Sequence, residues 1–227
     1  IIYSDNTKTT FPLVTYLLLP AVFMGAMGLV DDLRGLQPMP RLIFQTIVAV
    51  IVSIVLIQTK TIGTPLDNTF LVQIIVVLWI VGLCNSINFF DNLDGGAAGT
   101  VAVSTLGITL IAFGQGQELI AALAVVTAGA TIGFLLWNKS PAKIYMGDAG
   151  ALFLGIIVSV LTIRLNPGIN PLWNSIALLP MLLAVPILDT CIVLVGDILC
   201  KRVNKDGMRC ESILKRTIRD HQYQIAQ

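Results

Sequence analysis

Charged side chains are scarce in this sequence. Asp, Glu, Lys and Arg make up 12% of its 227 residues, whereas a soluble domain carries about 25%. Hydrophobic residues make up 56%, and the mean hydropathy is +0.86, so the chain has too few polar groups to cover itself in water. This composition excludes an ordinary soluble domain and favours a chain embedded in a bilayer.

Cysteine and histidine are also rare, with four cysteines and one histidine, His221. No C-x-x-C pair occurs and no histidine lies at zinc-ligand spacing, so we interpret the cysteines as free thiols. No signal peptide, internal repeat or low-complexity linker is visible, which predicts one domain over 1–227. Because the first residue is Ile1 rather than Met, we expect that N-terminal spans of a longer protein are missing.

Long uncharged stretches are abundant instead. A membrane-crossing helix needs about 20 mostly apolar residues, and backbone in lipid must satisfy its own hydrogen bonds, which requires helices here. We therefore predict an all-α, polytopic helical bundle. Its seven candidate spans lie near 11–30, 42–58, 70–87, 97–113, 118–137, 149–165 and 172–196, followed by a basic tail, 197–227.

The basic residues fall mainly on one side of these spans. Of the 14 Lys and Arg residues, all but Lys8, Lys60 and Arg164 belong to the loops 31–41, 88–96 and 138–148 or to the tail. The excess of positive charge in cytoplasmic loops predicts that this side faces the cytoplasm of a plasma membrane.

The acids follow the same partition. Five carboxylates from three distant loops are predicted to meet at the cytoplasmic ends of the spans, and such acids favour a functional site. They are Asp31, Asp32, Asp91, Asp94 and Asp148. For the adjacent pair alone, solvated loop residues are the simpler alternative.

Two sequence segments contain three of these acids. In NSINFFDNLDGG, Asn85, Asn88, Asp91 and either Asp94 or Asn92 recur every three to four residues, which predicts one polar helix face. The alternative is an ordinary polar helix end.

In NKSPAKIYMGDAGALFLG, Asp148 lies between two glycines before an apolar stretch. It is a candidate ligand for Mg²⁺ or Mn²⁺, and the first N–H groups of the following helix could bind phosphate. A helix N-cap is the alternative. The basic tail with His221 is either a lipid-binding segment or a cationic cover over a diphosphate.

With GLVDD, Arg41, Gln45 and VPILDT added, these segments resemble the polyprenyl-phosphate N-acetylhexosamine-1-phosphate transferases (glycosyltransferase family 4). That family also contains the phospho-N-acetylmuramoyl-pentapeptide transferases, and VPILDT is more similar to the N-acetylglucosamine branch. The resemblance implies transfer of a sugar phosphate from a UDP-N-acetylhexosamine to a polyprenyl phosphate with Mg²⁺, releasing UMP.

The resemblance also implies roles for individual residues. Asp148, Asp32 and Asp91 become candidate metal ligands, and the candidate catalytic acids are Asp31, Asp32, Asp91 and Asp94. The candidate substrate-binding residues are Asn85, Asn88, Asn138, Lys143, Arg219 and His221. We expect a membrane lipid and a UDP-sugar as partners, a possible homodimer, and no nucleic acid. The alternatives are a pentapeptide transferase, a transporter-like protein or a non-catalytic relative.

Overall fold

The computed structural model describes residues 7–58 and 69–168, with isolated residues between 183 and 195, and it describes side chains from Leu18 onward. Within these ranges the chain forms six helices and no strand, which confirms the all-α prediction. The helices are α1 (Thr7–Arg34), α2 (Pro38–Gln58), α3 (Thr69–Phe90), α4 (Gly96–Gly114), α5 (Glu118–Asn138) and α6 (Gly147–Arg164).

The helices α2 to α6 are each long and apolar enough to cross a membrane, and they coincide with the second to sixth predicted spans. The first predicted span, 11–30, lies inside α1. The seventh, 172–196, lies mostly outside the described residues, as do Asp189 and the whole tail 197–227. The protein is a multi-pass membrane protein.

The outer surface of the bundle exposes many large apolar side chains. Leu78, Leu110, Phe113 and Val126 each expose two thirds or more of their surface, although they lie on helices of high hydropathy. Lipid tails are the solvent that such a surface requires. Buried hydroxyl groups inside the bundle donate mostly to carbonyls of their own helix, as Thr131 does to Thr127 at 2.9 Å.

Short connections join the ends of successive helices and bring three loops together. One end of the bundle collects 31–41, 88–96 and 138–148, which we call the acidic end; side chains from all three are in direct contact there. The opposite end contains the α4–α5 turn and the residues that follow α6. All the predicted site residues that the structure describes lie at or near the acidic end.

Helix α6 packs between α1 and α3, while α4 and α5 pack chiefly against each other. Glycines permit the close approach of α6 to its neighbours. A Cβ atom built on Gly28 of α1 would lie 2.4 Å from the carbonyl oxygen of Asp148, and one on Gly155 would lie 2.7 Å from the Cα of Cys84 on α3. Small residues at such contacts are characteristic of helix packing in membranes.

Candidate active site

Arg41 connects two carboxylates that are far apart in the sequence. Its Nη1 donates to Asp31 Oδ2 at 3.0 Å and to Asp148 Oδ2 at 2.7 Å. These two contacts are the only salt bridges among the described residues. Arg41 therefore joins the end of α1, the first turn of α2 and the start of α6 into one cluster.

Asp148 is held through both of its oxygens. While Oδ2 accepts from Arg41, Oδ1 accepts from the Nδ2 of Asn88 at 2.5 Å. Asp148 is the second residue of α6, whose N-cap residue is Met146, and the side chain of that N-cap makes no hydrogen bond to the helix. The alternative that Asp148 caps its own helix is therefore wrong, because its carboxylate contacts α2 and α3 instead.

The start of α6 is surrounded by acids from other segments. Asp32 accepts from the backbone N–H groups of Asp148 at 3.0 Å and of Ala149 at 3.1 Å, and Asp91 accepts from the N–H of Gly147. Gly147 has a φ of +68°, and a Cβ built on it would lie 2.8 Å from Asp32 Oδ2. The N–H groups that the sequence suggested for phosphate are thus already bonded to carboxylates, which the positive end of the helix dipole also favours.

The pKa of Asp91 reflects this crowding. Burial, with a smaller contribution from the charges of Asp148 and Asp32, raises the pKa of Asp91 to about 7, although the hydrogen bond from Gly147 opposes the shift. The shift therefore reflects chiefly the removal of this carboxylate from water, and the neighbouring carboxylates add to it. Asp31 and Asp148 share the guanidinium of Arg41, while Asp32 and Asp91 accept from the backbone at the start of α6.

The predicted polar helix face is only partly helical. Helix α3 ends at Phe90, so Asn85 and Asn88 share a face, whereas Asp91 and Asp94 lie in the turn beyond it. Gly95 in this turn has a φ of +71°. The polar spacing in the sequence predicted a continuous helix face and not this turn. The turn lets Asp91 reach Gly147 instead of continuing along α3.

A polar pair lies one helical turn deeper than Arg41 and Asn88. Gln45 on α2 is fully buried, and its Oε1 accepts from the Nδ2 of Asn85 at 2.8 Å. Among the described residues, the Nε2 of Gln45 has no hydrogen-bond partner. The pair joins α2 to α3 directly beneath the acidic cluster.

Asp94 and Asn138 form a second cluster that connects two loops. Asp94 Oδ2 accepts from the N–H of Ala142 at 3.0 Å. Asn138 is buried, and it accepts from the N–H of Gly95 at 3.1 Å and donates to the carbonyl of Ile144 at 2.9 Å. These contacts set the α3–α4 turn against the α5–α6 connection and so fix the approach of Asp91 to α6.

The remaining predicted residues are more scattered. Lys143 is exposed, and its Nζ lies 5.6 Å from the centre of the Trp137 ring. Arg219 and His221 lie outside the described residues, so the predicted cationic cover is not described. Within the described side chains, no three His, Cys, Asp or Glu residues are arranged to hold a metal ion by themselves.

Arg41 and Gln45 belong to the site, but they were not among the candidate site residues predicted from the sequence. Their signal was their occurrence as polar residues at the start of an apolar span, four residues apart, which places them on one helix face. Gly28 gave no sequence signal for its role, because close contact with α6 is a property of the folded bundle.

The model of glycosyl transferase family 4 matches residues 14–166, which include every acid of the cluster. The chain belongs to glycosyl transferase family 4.

Individual relatives match most of this chain. A Bacillus subtilis protein named "Probable undecaprenyl-phosphate N-acetylglucosaminyl 1-phosphate transferase" is 32% identical over 206 residues, which are 88% of this chain and 56% of that protein. A phospho-N-acetylmuramoyl-pentapeptide-transferase of Streptococcus agalactiae is 32% identical over 177 residues, 72% of this chain and 52% of that protein. One from Staphylococcus carnosus is 31% identical over 191 residues, 75% of this chain and 58% of that protein. The chain thus spans about half the length of these curated relatives.

Replacement of Arg41 by Met tests the bridge that this member of glycosyl transferase family 4 builds from α2. We expect a loss of about 1–3 kcal/mol in the free energy of unfolding, because Asp31 and Asp148 lose their shared donor. Thermal unfolding of the purified protein measures it. Arg34→Met is the matched control, since Arg34 is exposed and ends α1 at the same end of the bundle. Equal unfolding midpoints for the two variants would contradict a structural bridge.

Proposed function

We propose that this protein transfers N-acetylhexosamine 1-phosphate from a UDP-sugar, UDP-N-acetylglucosamine in the first instance, to a polyprenyl phosphate such as undecaprenyl phosphate. An oxygen of the lipid phosphate forms a new bond to the sugar-linked phosphorus, and the bond from that phosphorus to the oxygen of UMP breaks. The products are a polyprenyl diphosphate sugar and UMP. Such a lipid-linked sugar would initiate a cell-surface polysaccharide or a cell-wall glycan.

The observation that carries this proposal is the convergence of acids at one end of a membrane bundle. Arg41 and Asn88 orient the carboxylate of Asp148, while Asp32 and Asp91 approach the same helix start. Phosphoryl transfer requires positioning and charge neutralisation more than covalent chemistry by the protein. A site at the end of membrane-spanning helices is accessible both to a water-soluble nucleotide sugar and to a phosphate anchored in lipid.

The donor set suits Mg²⁺, although the described side chains do not form a complete cage. Magnesium in proteins is usually bound by one or two carboxylates, water and substrate phosphates, and the acidic cluster has more negative than positive charge. We propose that Asp148, Asp32 and Asp91 hold the ion. When bound, Mg²⁺ would neutralise negative charge on the phosphates.

The protein's own groups have separate roles in this proposal. Arg41 keeps Asp31 and Asp148 in place, and Asn88 fixes the second oxygen of Asp148. Asp94 and Asn138 hold the two loops that carry Asp91 and the start of α6. The nucleotide sugar would bind from the side of Asn138 and Lys143, where the second cluster lies.

We also propose that the acidic end faces the cytoplasm of the plasma membrane. Most of the basic residues lie in the loops of this end and in the tail, as the positive-inside bias requires. UDP-sugars are soluble metabolites, so a cytoplasmic site gives them direct access.

A second substrate deserves a direct comparison, because relatives named phospho-N-acetylmuramoyl-pentapeptide-transferase match 72% and 75% of this chain. Membranes or purified full-length protein should be supplied with undecaprenyl phosphate and labelled UDP-N-acetylglucosamine or UDP-N-acetylmuramoyl-pentapeptide. We expect a labelled polyprenyl diphosphate sugar from the first donor and little from the second.

Removal of divalent cations tests the proposed ion in the same assay. With EDTA we expect transfer to fall below detection, and with added Mg²⁺ or Mn²⁺ we expect it to return, because the acidic cluster cannot neutralise the phosphates by itself. Transfer that continues in EDTA would refute the metal requirement. Absence of lipid-linked product from both donors would instead favour a non-catalytic or transporter-like protein.

A further inference from the structure

Arg164 is a buried cation at the end of the bundle that the proposed function does not use. It belongs to the last turn of α6 and is 9% exposed. Sixteen residues separate it from Asp148, which corresponds to about 24 Å along a helix that rises 1.5 Å per residue. This length approaches the thickness of the hydrocarbon core of a bilayer, about 30 Å.

The described residues offer Arg164 no counter-charge. Its Nε is buried and has no hydrogen-bond partner among them. Among the described residues, every acid except Glu118 lies at the acidic end. Glu118 is exposed and forms no ion pair with Arg164. Leu161 and Leu165, which lie within one helical turn of Arg164 along the chain, are apolar and buried.

An unpaired charge in such surroundings is costly. The negative end of the α6 dipole favours a cation in the last turn, but that interaction is smaller than the cost of removing a charge from water. A long side chain can reach the headgroup region at a helix end, yet the Nε of Arg164 remains buried. We therefore expect an anion from outside the described residues to neutralise the charge of Arg164.

We propose that Arg164 binds the phosphate of a phospholipid headgroup in the leaflet opposite the acidic end. At that depth the headgroup phosphate is the most abundant anion, and a guanidinium presents the planar fork of donors that matches it. The proposal is independent of the transferase activity.

Neighbouring contacts keep this end of α6 in a fixed position. Gln117, which precedes α5, donates through Nε2 to the carbonyl of Asn166 at 2.6 Å and accepts from its N–H at 3.1 Å. The segment after Arg164 is therefore attached to the α4–α5 turn, so the arginine is presented at a constant place beside the bilayer surface.

The test uses purified full-length protein depleted of lipid and then supplied with one lipid at a time. The lipids are phosphatidylglycerol, which has a phosphate, and diglucosyldiacylglycerol, which has none. The melting temperature should rise several degrees more with phosphatidylglycerol than with the glycolipid. Arg164→Gln should remove this difference, and Arg164→Lys, which keeps the charge but not the fork, should retain part of it.

Arg34→Gln is the matched control, because it removes an equal charge from an exposed position at the other end of the bundle. It should retain most of the difference between the two lipids. Undecaprenyl phosphate and inorganic phosphate replace phosphatidylglycerol in separate arms, to distinguish a phospholipid from other phosphates. The phospholipid is expected to stabilise the wild-type protein most.

Three results would overturn the proposal. One is an unchanged lipid difference in Arg164→Gln. Another is equal stabilisation by inorganic phosphate. The third is an equal loss of stability, in both lipids, for Arg164→Gln and Asp67→Asn, since Asp67 lies in the 59–68 connection between α2 and α3 and could supply an internal counter-charge. If the glutamine variant does not fold, the lysine variant decides, because a full lipid difference there would contradict recognition by the guanidinium fork.

Discussion

Asp148→Asn should lower the rate of sugar-phosphate transfer by about a thousandfold, the size of effect seen when one preorganised group that stabilises charge is lost. The substitution keeps the shape of the side chain and its contact with Asn88, but it removes the negative charge that faces Arg41 and the proposed cation. The measurement is single-turnover transfer of labelled sugar phosphate to undecaprenyl phosphate by the purified full-length protein.

Glu118→Gln is the matched control for that variant. It makes the same change of charge at an exposed acid at the opposite end of the bundle, so transfer should stay within about twofold of the wild type, as for surface substitutions away from special features. If Asp148→Asn retained more than about a tenth of the wild-type rate, the site would have to lie elsewhere. Equal losses in both variants would show a general effect of charge on the membrane protein.

Gly28→Ala should reduce transfer by about a hundredfold without removing any polar group. The added Cβ would lie 2.4 Å from the carbonyl oxygen of Asp148, 2.6 Å from its carbonyl carbon and 2.7 Å from the Cα of Ala149. Because these are backbone atoms, α1 and α6 must move apart. Asp32 then moves away from the two N–H groups of α6 that donate hydrogen bonds to it. A displacement of about 1 Å at a reacting centre can cost a hundredfold in rate.

Gly82→Ala provides the comparison on the neighbouring helix α3, since a Cβ there meets no atom within 4 Å. Because alanine favours helix over glycine, this variant should be as active as the wild type and slightly more stable. Transfer rate and thermal unfolding midpoint should be measured on both. A fully active Gly28→Ala would mean that the spacing of α1 and α6 does not control the site.

The helices were predictable because the composition left few alternatives. Uncharged stretches of about 20 residues can satisfy their backbone in lipid only as helices, so α1 to α6 lie where the hydropathy indicated. The boundary at Phe90 was not predictable from periodicity. The polar spacing continues through Asp91 and Asp94, while Gly95 adopts a left-handed conformation in the turn that interrupts the helix.

The partners of the acids were less predictable than their location. Alternating spans imply that Asp31, Asp91 and Asp148 share one end of the bundle, and the structure places them there. That Asp148 contacts Arg41 and Asn88 rather than capping α6 depends on the packing of α6 between α1 and α3. Gln45 illustrates the same limit, because a polar residue in an apolar span has no assigned partner until a neighbouring helix presents Asn85.

The sequence by itself determined that this protein resides in a membrane, that its spans are helical, and that its acids gather at one end, because the bilayer allows few structures and alternation fixes the side of each loop. Tertiary structure decided which groups bond to one another. Hydrogen bonds and salt bridges act over about 3 Å, and that precision depends on interhelical contacts such as Gly28 against Asp148, which no pattern along a single helix can specify.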